Sequence, residues 1–168
     1  MSLSTKDRLP EYRSGIGYDA HRLTTGRRLV LGGVDIPYEK GLEGHSDADV
    51  LTHALMDAVL GAAGLGDIGE HFPNTDQEYK GVSSIKLLGY VALLVHKHGF
   101  TVVNADAVLL AEEPKINPHK KQMCAHMAKA LGIDEARVNV KATTNEGMGF
   151  VGAKEGMAAY ATALLRRE

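Results

Sequence analysis

One helix between residues 51 and 62 limits most strongly what this chain can fold into. Apolar residues recur there at helical spacing, at Leu51, Ala54, Leu55, Ala58, Val59 and Ala62. The pattern predicts a helix with one buried face. Ser46 is a suitable N-cap for this helix, and Asp49, three residues later, completes a capping box and favours the positive end of the helix dipole.

A polar stripe runs along the same helix. Asp49, His53 and Asp57 stand four residues apart and therefore share one side of it. A solvated surface is one interpretation of this stripe, and a functional surface is the other. The His45-Ser46 pair in the preceding loop, together with a metal-type motif upstream, favours the functional interpretation.

Asp19 and His21 form that upstream motif. They end a segment of alternating character that predicts a strand, and residues two apart on a strand point to the same face. A helix docked on the sheet would bring His53 to the same point, where Asp57 would orient its ring. Two imidazoles and one carboxylate suit zinc, and three protein ligands leave the fourth position open. The alternative is a pair of ordinary surface or hydrogen-bonded histidines.

The other predicted elements make one α/β-type unit without repeats or linkers. They are a hairpin over residues 29–36, a helix from Ser83 or Ser84 to about His98, an apolar strand over 100–110, a helix ending at Gly132 and a short strand over 138–141. Residues 156–165 are ambiguous, because their Ala and Leu content favours a helix by propensity. Residues 1–13 are expected to form a flexible tail, and residues 14–168 a single domain.

Composition excludes several classes of function. A length of 168 residues suits one domain, and a net charge of −2 argues against general nucleic-acid binding. The absence of Trp makes a base-stacking platform a poor expectation. The single cysteine, Cys124, excludes an intramolecular disulfide framework and fits a reducing compartment. With no apolar signal core and no membrane-spanning run, the expected location is the cytoplasm.

A polar loop follows the strand predicted at 138–141. The segment 141–146, Lys-Ala-Thr-Thr-Asn-Glu, offers hydroxyls, amides and a carboxylate where the strand opens. These groups suit a phosphate and a hard divalent cation. The alternative is a turn in which the Thr and Asn side chains bond the local backbone.

Several short motifs follow one another in an order typical of one family. They are Asp19-Ala20-His21, Gly32-Gly33-Val34, Pro37-Tyr38-Glu39-Lys40-Gly41, His45-Ser46-Asp47-Ala48-Asp49, Gly66-Asp67-Ile68-Gly69, Phe72-Pro73, Pro114-Lys115, Val140-Lys141-Ala142-Thr143-Thr144-Asn145-Glu146 and Gly149-Phe150. Each motif alone is weak, but the ordered set is highly specific. From about residue 15 to the C-terminus, the chain resembles the 2-C-methyl-D-erythritol 2,4-cyclodiphosphate synthases.

The resemblance implies an α+β fold of the chorismate-mutase-like type. Its mixed β-sheet carries helices on one face, and three copies assemble into a homotrimer with active sites between subunits. The resemblance also implies a strand at 156–165, against local propensity. The implied activity is that of a cyclising phosphorus-oxygen lyase of non-mevalonate isoprene synthesis. The substrate is 4-diphosphocytidyl-2-C-methyl-D-erythritol 2-phosphate, and the products are the 2,4-cyclodiphosphate and CMP.

The resemblance further assigns site residues. Asp19, His21 and His53 would bind zinc, and Glu146 would bind a second cation, magnesium or manganese. The positions of transition-state stabilisation are His45 and Thr144. The substrate-binding set is Ser46, Asp67, Gly69, Phe72, Pro73, Asn74, Thr75, Asp76, Ala111, Pro114, Lys115, Ile116, Asn117, Thr143 and Phe150. Within this set, Asp67 and the loop 72–76 would meet the erythritol moiety and close over it. Residues 111–117 with Thr143 would form the cytidine pocket, partly through backbone groups and from a neighbouring subunit.

One position departs from the family pattern. Ala153 and Lys154 follow Gly152, where the family commonly has an arginine. That arginine lies near the trimer axis, where the resemblance implies an isoprenoid diphosphate as a further ligand. The departure weakens this expectation unless Lys154 replaces the charge. Two other hypotheses remain at this point: a zinc-dependent phosphohydrolase, and a non-enzymatic, zinc-stabilised trimer that binds an isoprenoid.

Overall fold

A computed structural model describes residues 10–73, 75, 77–79 and 81–167 of the chain. The strands are β1 (Glu11–Thr25), β2 (Leu29–Leu31), β3 (Val34–Ile36), β4 (Lys40–Leu42), β5 (Phe100–Leu110), β6 (Val138–Thr143) and β7 (Gly156–Arg167). The α-helices are α1 (Val50–Ala63), α2 (Ile68–His71), α3 (Ser84–Lys97), α4 (Lys120–Leu131) and α5 (Gly149–Gly152), and short 3₁₀ helices lie at Gln77–Tyr79, Asn117–His119 and Glu135–Arg137. Across these described ranges, no helix has the length and apolarity needed to cross a membrane.

Five strands form one mixed sheet, in the order β4-β1-β7-β5-β6. β5 and β6 run parallel, whereas the other neighbouring pairs are antiparallel. β2 and β3 form the hairpin predicted at residues 29–36. Helix α1 packs across β1 and β7, α4 packs on β6, and α3 packs against α1, α4 and β5. The predicted mixed α+β architecture is therefore confirmed.

The two faces of the sheet differ in character. Along β1, alternate side chains point to the helices, and the side chains between them, including Tyr12, Ile16 and Tyr18, point away. Tyr160 of β7 shares this outward face, and its ring packs on that of Tyr18 with the centroids 4.7 Å apart. Ile16 is 70% exposed. On β1 and β7, the outward face of the sheet thus carries an apolar patch that is open in the single chain.

Helix α1 lies close to β1 because two glycines face it. A Cβ atom at Gly15 would lie 2.0 Å from the carbonyl oxygen of Ala58, and one at Gly17 would lie 1.9 Å from that of Ala54. A side chain at either position would force the strand and the helix apart. Since Asp19 is on the same face of β1, this contact determines how near Asp19 comes to α1.

Helix α1 has Asp49 as its N-cap, so the predicted cap at Ser46 is wrong. The Asp49 carboxylate accepts hydrogen bonds from the Thr52 N–H (3.1 Å) and hydroxyl (2.7 Å). It also accepts the two N–H groups of the β2–β3 turn, Gly32 (2.9 Å) and Gly33 (2.7 Å). The hairpin, which is remote in sequence, therefore fixes where the helix starts. Asp49 is fully buried, so a solvated stripe is also excluded at this residue.

Both ends of the chain differ from what local pattern alone predicts. The final segment is strand β7, as the resemblance implied, because β1 and β5 pair with it on both sides and this pairing outweighs helix propensity. Strand β1 begins at Glu11, and residues 11–13 pair with β7. The predicted tail at 1–13 is therefore too long at its C-terminal end, and residues 1–9 lie outside the described residues.

Candidate active site

Three potential metal ligands meet where β1 faces α1. Asp19 Oδ2 lies 2.9 Å from His21 Nε2 and 2.9 Å from His53 Nδ1, and the two ring nitrogens are 3.2 Å apart. These donor atoms all lie within 4.8 Å of one another. The structure thus brings together the strand pair and the helix histidine, as their spacing predicted. Two imidazoles and a carboxylate form a donor set suited to a divalent metal with one position left open.

The protonation of this cluster follows from its contacts. Burial opposes a charge on Asp19, but hydrogen bonds from His21 and His53 outweigh it and hold the pKa of Asp19 well below its usual range. Burial also acts to lower the pKa of His21, yet its hydrogen bond with Asp19 raises that pKa overall. The cluster therefore combines an ionised carboxylate with an imidazole that readily holds a proton. A metal ion would take the place of that proton.

The other nitrogen of the His53 ring contacts two serines. His53 Nε2 lies 2.9 Å from Ser84 Oγ and 3.1 Å from Ser46 Oγ. Ser84 is the first residue of α3, and both its hydroxyl and its N–H donate to the carboxylate of Asp47, the N–H at 3.0 Å. From the sequence, Ser84 was predicted only as a possible start of α3, and Asp47 was assigned no role. Nothing in their spacing indicates that they meet His53.

Asp57 does not orient the His53 ring, contrary to the prediction. Its carboxylate accepts the N–H of Ile68 at 2.8 Å, which ties the start of α2 to α1. Burial raises the pKa of the Asp57 carboxyl. The prediction failed because helical spacing places Asp57 one turn from His53 but does not show which way its side chain turns.

Arg27 holds the loop that carries His45. The Arg27 guanidinium donates to the carbonyl oxygens of Gly44 (2.9 Å) and Ser46 (3.0 Å), on either side of His45. Ser46 Oγ also accepts the N–H of Ala48 at 3.2 Å. These bonds fix a sharply turned loop beside the three-ligand cluster.

A cavity of about 480 Å³ opens next to this cluster. Its wall includes the predicted residues Asp19, His21, His45, Ser46, His53, Gly69, Phe72, Pro73 and Thr75. Met56, Ile68, Tyr79 and Leu87 add apolar surface that was not predicted, because apolar helix residues are typical of a core. Asp67 is not in the wall, and its carboxylate instead caps α2 by accepting the Glu70 N–H at 3.1 Å. The predicted Asn74 and Asp76 lie outside the described residues.

A second group of predicted residues lies where β5 and β6 end. Glu112 Oε1 accepts the N–H groups of Asn145 (2.8 Å) and Gly147 (3.4 Å), which ties the two loops together. The Thr144 hydroxyl donates to Glu146 Oε1 at 2.9 Å. Thr144 and Glu146 are both exposed. Sequence reasoning did not predict a role for Glu112.

The predicted cytidine-pocket residues belong to this second group. The Ala111 N–H donates to the Thr143 carbonyl oxygen at 3.0 Å, which joins the two loops at their base. Ile116 is 3% exposed, so it belongs to the core of the single chain. Pro114, Lys115 and Asn117 flank Ile116 in the same loop, and Phe150 of α5 is 42% exposed.

The two groups lie at the same end of the sheet but on different strands. Asp19 is in register with Ala159, Ala159 with Leu109, and Leu109 with Ala142. Three strand spacings, about 14 Å in total, therefore separate the backbone of Asp19 from that of Ala142. One chain thus presents two separate clusters rather than a single closed site.

The chain matches known proteins over nearly its whole length. The YgbB family model matches residues 12–166. The 2-C-methyl-D-erythritol 2,4-cyclodiphosphate synthase of Desulfosudis oleivorans is 62% identical over 156 residues, which is 93% of each chain. The structure of the bifunctional IspDF of Campylobacter jejuni has a TM-score of 0.91 and 45% identity over 95% of this chain, which spans 43% of that longer protein.

A third similar protein was solved with a nucleotide. The CDP complex of IspF from Plasmodium falciparum has a TM-score of 0.82 and 34% identity, and the match covers 94% of this chain and 97% of that one. The family model, the curated relatives and the solved structures therefore agree with the family that the ordered motifs indicated. The chain belongs to the YgbB family, that of the 2-C-methyl-D-erythritol 2,4-cyclodiphosphate synthases.

Proposed function

We propose that this chain converts 4-diphosphocytidyl-2-C-methyl-D-erythritol 2-phosphate to 2-C-methyl-D-erythritol 2,4-cyclodiphosphate and CMP, as a lyase of non-mevalonate isoprene precursor synthesis. The observation that carries the proposal is the Asp19–His21–His53 cluster beside the His45 loop, at one cavity. The substrate's own 2-phosphate attacks its β-phosphorus, and CMP leaves with the electrons of the broken bond. No protein nucleophile is required, so the residues align phosphates and neutralise charge.

Two cations would assist this chemistry. Asp19, His21 and His53 would hold zinc, because their donor atoms lie within 4.8 Å of one another. Glu146 would hold magnesium or manganese, because a carboxylate on an exposed loop suits a hard cation. When bound, the cations would polarise the β-phosphate and neutralise charge on the α- and β-phosphates.

The His45 loop would bind the phosphates. His45 and Thr144 would stabilise charge in the transition state, and Ser46 would contact a phosphate oxygen. Arg27 holds the carbonyl groups on both sides of His45, so the loop does not have to order itself when substrate binds. This preorganisation favours attack by the 2-phosphate over other orientations of the flexible substrate.

The cavity wall would exclude water from the reacting phosphates. Asp67, Gly69 and residues 72–76 would contact the erythritol moiety. The Phe72 and Tyr79 rings meet edge to face with centroids 5.4 Å apart, which supports a closed apolar wall. Excluding water matters because water would compete with the 2-phosphate as the nucleophile.

The cytidine would bind to a neighbouring copy within a homotrimer. The cytidine set is Ala111, Pro114, Lys115, the backbone of Ile116, Asn117 and Thr143, with Phe150 as a further substrate contact. The 14 Å strand separation, three spacings of about 4.8 Å each, supports this arrangement, because cations that act on one phosphoryl group lie about 3.5–4 Å apart. The apolar outward face of the sheet, with Ile16 and Tyr160, supports burial against other copies.

An isoprenoid diphosphate would be a further ligand, on the trimer axis. Ala153 carries no charge, and the Lys154 ammonium lies 2.7 Å from Glu113 Oε1. Binding there would therefore be weaker than with an arginine at position 153. The location proposed for the enzyme is the cytoplasm, where the half-buried thiol of Cys124 would stay reduced.

Phosphorus NMR of a single reaction mixture tests the proposal. Zinc-loaded protein with magnesium and the substrate should yield CMP and the cyclic diphosphate in equal amounts. Linear phosphates formed by water attack would instead indicate a phosphohydrolase. A folded, metal-loaded protein that releases no CMP would overturn the proposed activity and favour a ligand-binding role.

A further inference from the structure

The side of the His53 ring that faces away from the metal cluster is enclosed by polar groups. The side chain is 11% exposed, and its Nε2 atom contacts Ser84 Oγ at 2.9 Å and Ser46 Oγ at 3.1 Å. Ser84 is fully buried. A buried ring nitrogen between two hydroxyl oxygens must either carry a proton or accept one.

Asp47 determines the direction of the hydrogen bond between Ser84 and His53. Its carboxylate accepts the Ser84 N–H at one oxygen and the Ser84 hydroxyl at the other. An ionised carboxylate only accepts, so the single hydroxyl proton of Ser84 is directed to Asp47. Ser84 Oγ then faces His53 with lone pairs alone. The 2.9 Å contact is favourable only if His53 Nε2 carries the proton.

We propose that Asp47 and Ser84 are positioning residues that keep His53 protonated at Nε2 and so present its Nδ1 to the metal. This inference rests on the proposed function, because it concerns how the zinc ligand is prepared. Nδ1 is the ring nitrogen that donates to Asp19 Oδ2 at 2.9 Å and lies 3.2 Å from His21 Nε2, so a metal would replace the Nδ1 proton while Nε2 keeps its own. In many metal sites a carboxylate hydrogen-bonds the metal-bound imidazole directly and orients it. Here the Asp47 carboxylate would act on His53 through Ser84, which lies between them.

The same residues join three segments of the chain. The Asp47 N–H donates to the Val82 carbonyl oxygen at 3.2 Å, and the Gly81 N–H donates to that of His45 at 3.0 Å. Asp47 also binds the first N–H of α3, whereas the N-cap residue Ser83 makes no side-chain capping bond. Asp47 therefore fixes the start of α3 and the orientation of Ser84 together.

Two variants and a matched control separate positioning from general stability. Ser84→Ala removes the nearer of the two hydroxyl oxygens that face His53 Nε2, and with it the one that Asp47 keeps as an acceptor. Asp47→Asn keeps the size of the side chain, but its amide can donate to Ser84 and turn the serine proton toward His53. Ser83→Ala changes the adjacent serine, whose side chain makes no capping bond. Thermal unfolding of each metal-free variant, compared with the wild type, reports whether it is folded.

The measurements are zinc affinity and the state of the imidazole, neither of which depends on turnover. By competition with a chelator, Ser84→Ala and Asp47→Asn should bind zinc about 10–100-fold more weakly, and Ser83→Ala within about 2-fold of the wild type. In zinc-loaded protein with ¹⁵N-labelled histidine, assigned with His53→Ala, the His53 ring should show a protonated Nε2 and a metal-bound Nδ1.

Two results would overturn the positioning role. One is a wild-type spectrum with Nε2 bound to zinc, which requires no variant to fold. The other is unchanged zinc affinity in folded Ser84→Ala and Asp47→Asn. A wild type that binds zinc as described but yields no cyclic product would instead refute the proposed reaction and leave the positioning role intact.

Discussion

The three-ligand cluster of Asp19, His21 and His53 lies between strand β1 and helix α1 and is largely enclosed. The Thr144–Glu146 loop lies beyond the end of β6 and is exposed. His53 is held at both ring nitrogens by groups from β1, the His45 loop and α3. Glu146 makes two hydrogen bonds, both with the Thr144 hydroxyl of its own loop, one through its carboxylate and one through its N–H. The first region is complete within one chain, and the second presents its groups outward.

This difference indicates what each region is built to do. Ligands on packed strands and helices keep their spacing without a metal, which suits a cation that stays in the protein. Groups on an exposed loop can meet a ligand that arrives together with its own cation. The contrast therefore predicts that zinc binding belongs to the single chain and that nucleotide binding requires assembly.

Removing a ligand from the enclosed region should have the largest effect. His53→Ala should abolish tight zinc binding and lower kcat/KM by about 10³-fold, because loss of a Lewis-acid metal costs several kcal/mol of transition-state stabilisation. Metal analysis with steady-state kinetics checks this. His96→Ala, an exposed histidine of α3, should match the wild type. Full activity in folded, zinc-free His53→Ala would contradict a catalytic metal.

Preventing assembly through the outward face of the sheet should lower the activity without changing zinc binding. Ile16→Asp places a charge in the apolar patch, so light scattering should show monomers. The activity should fall by about 100-fold, because the second cluster is no longer positioned. Zinc should still bind at one ion per chain. Leu93→Asp is the control, since Leu93 is equally exposed, at 61%, but lies on α3. A trimer that survives Ile16→Asp with full activity would exclude this face as the interface.

Neutralising the exposed region should have a smaller effect. Glu146→Gln should lower kcat/KM about 10–100-fold, in line with the 1.5–3 kcal/mol typical of an interaction with a charged group. Electron paramagnetic resonance should show loss of Mn²⁺ binding in the presence of CDP, while the zinc content stays at the wild-type level. If zinc were lost as well, the two regions would not be independent.

The rigidity of the enclosed region should depend on Asp49. Asp49→Asn places an amide NH2 group opposite the Gly33 N–H, an unfavourable donor–donor contact in a fully buried site, and makes the Thr52 hydroxyl accept instead of donate, so the free energy of unfolding should fall by about 2–3 kcal/mol. Denaturant unfolding measures this change. Asp35→Asn, which removes an exposed ion pair with Arg28, should change stability by less than about 0.5 kcal/mol.

The smallest effect should be a pH dependence with opposite signs for stability and metal binding. The raised pKa of His21 contributes stability to the metal-free protein below pH 6.5, and this contribution is lost as the pH rises through the raised value. The lowered pKa of Asp19 contributes above pH 3.8 and is lost on acidification.

Between pH 5.5 and 8.5, the metal-free protein should therefore lose the stability that His21 contributes, while its zinc affinity rises because the ligand gives up its proton. Calorimetry and chelator competition at both pH values measure the two trends. In Asp19→Asn the pH-dependent stability difference should shrink, and in Glu146→Gln it should remain. If stability and zinc affinity changed in the same direction with pH, the result would contradict the ion pair between His21 and Asp19.

Patterns along the chain predicted the elements well but not their contacts across the fold. The hairpin at 29–36 and helix α1 followed from local periodicity, whereas β7 required the family resemblance because its neighbours decide its state. Ser46 and Asp49 are both good caps, and only the hairpin turn selects Asp49. For the three-ligand cluster, period-two and helical spacing predicted that Asp19, His21 and His53 would meet, and the family resemblance was needed to favour a metal over ordinary histidines. Ser84 could not be found, since its role depends on a contact with His53 across 31 residues.

The two glycines of β1 set the spacing of the ligands that we propose for zinc. Replacing Gly17 would require the Ala54 carbonyl to move from 1.9 Å to an ordinary contact of about 3.4 Å, a displacement of α1 by about 1.5 Å. His53 moves with that helix, so the space between the ligands would widen. Wider ligand spacing favours a larger ion such as cadmium over zinc. We therefore expect that the preference of the proposed zinc site depends partly on two residues that have no side chain and would never touch the ion.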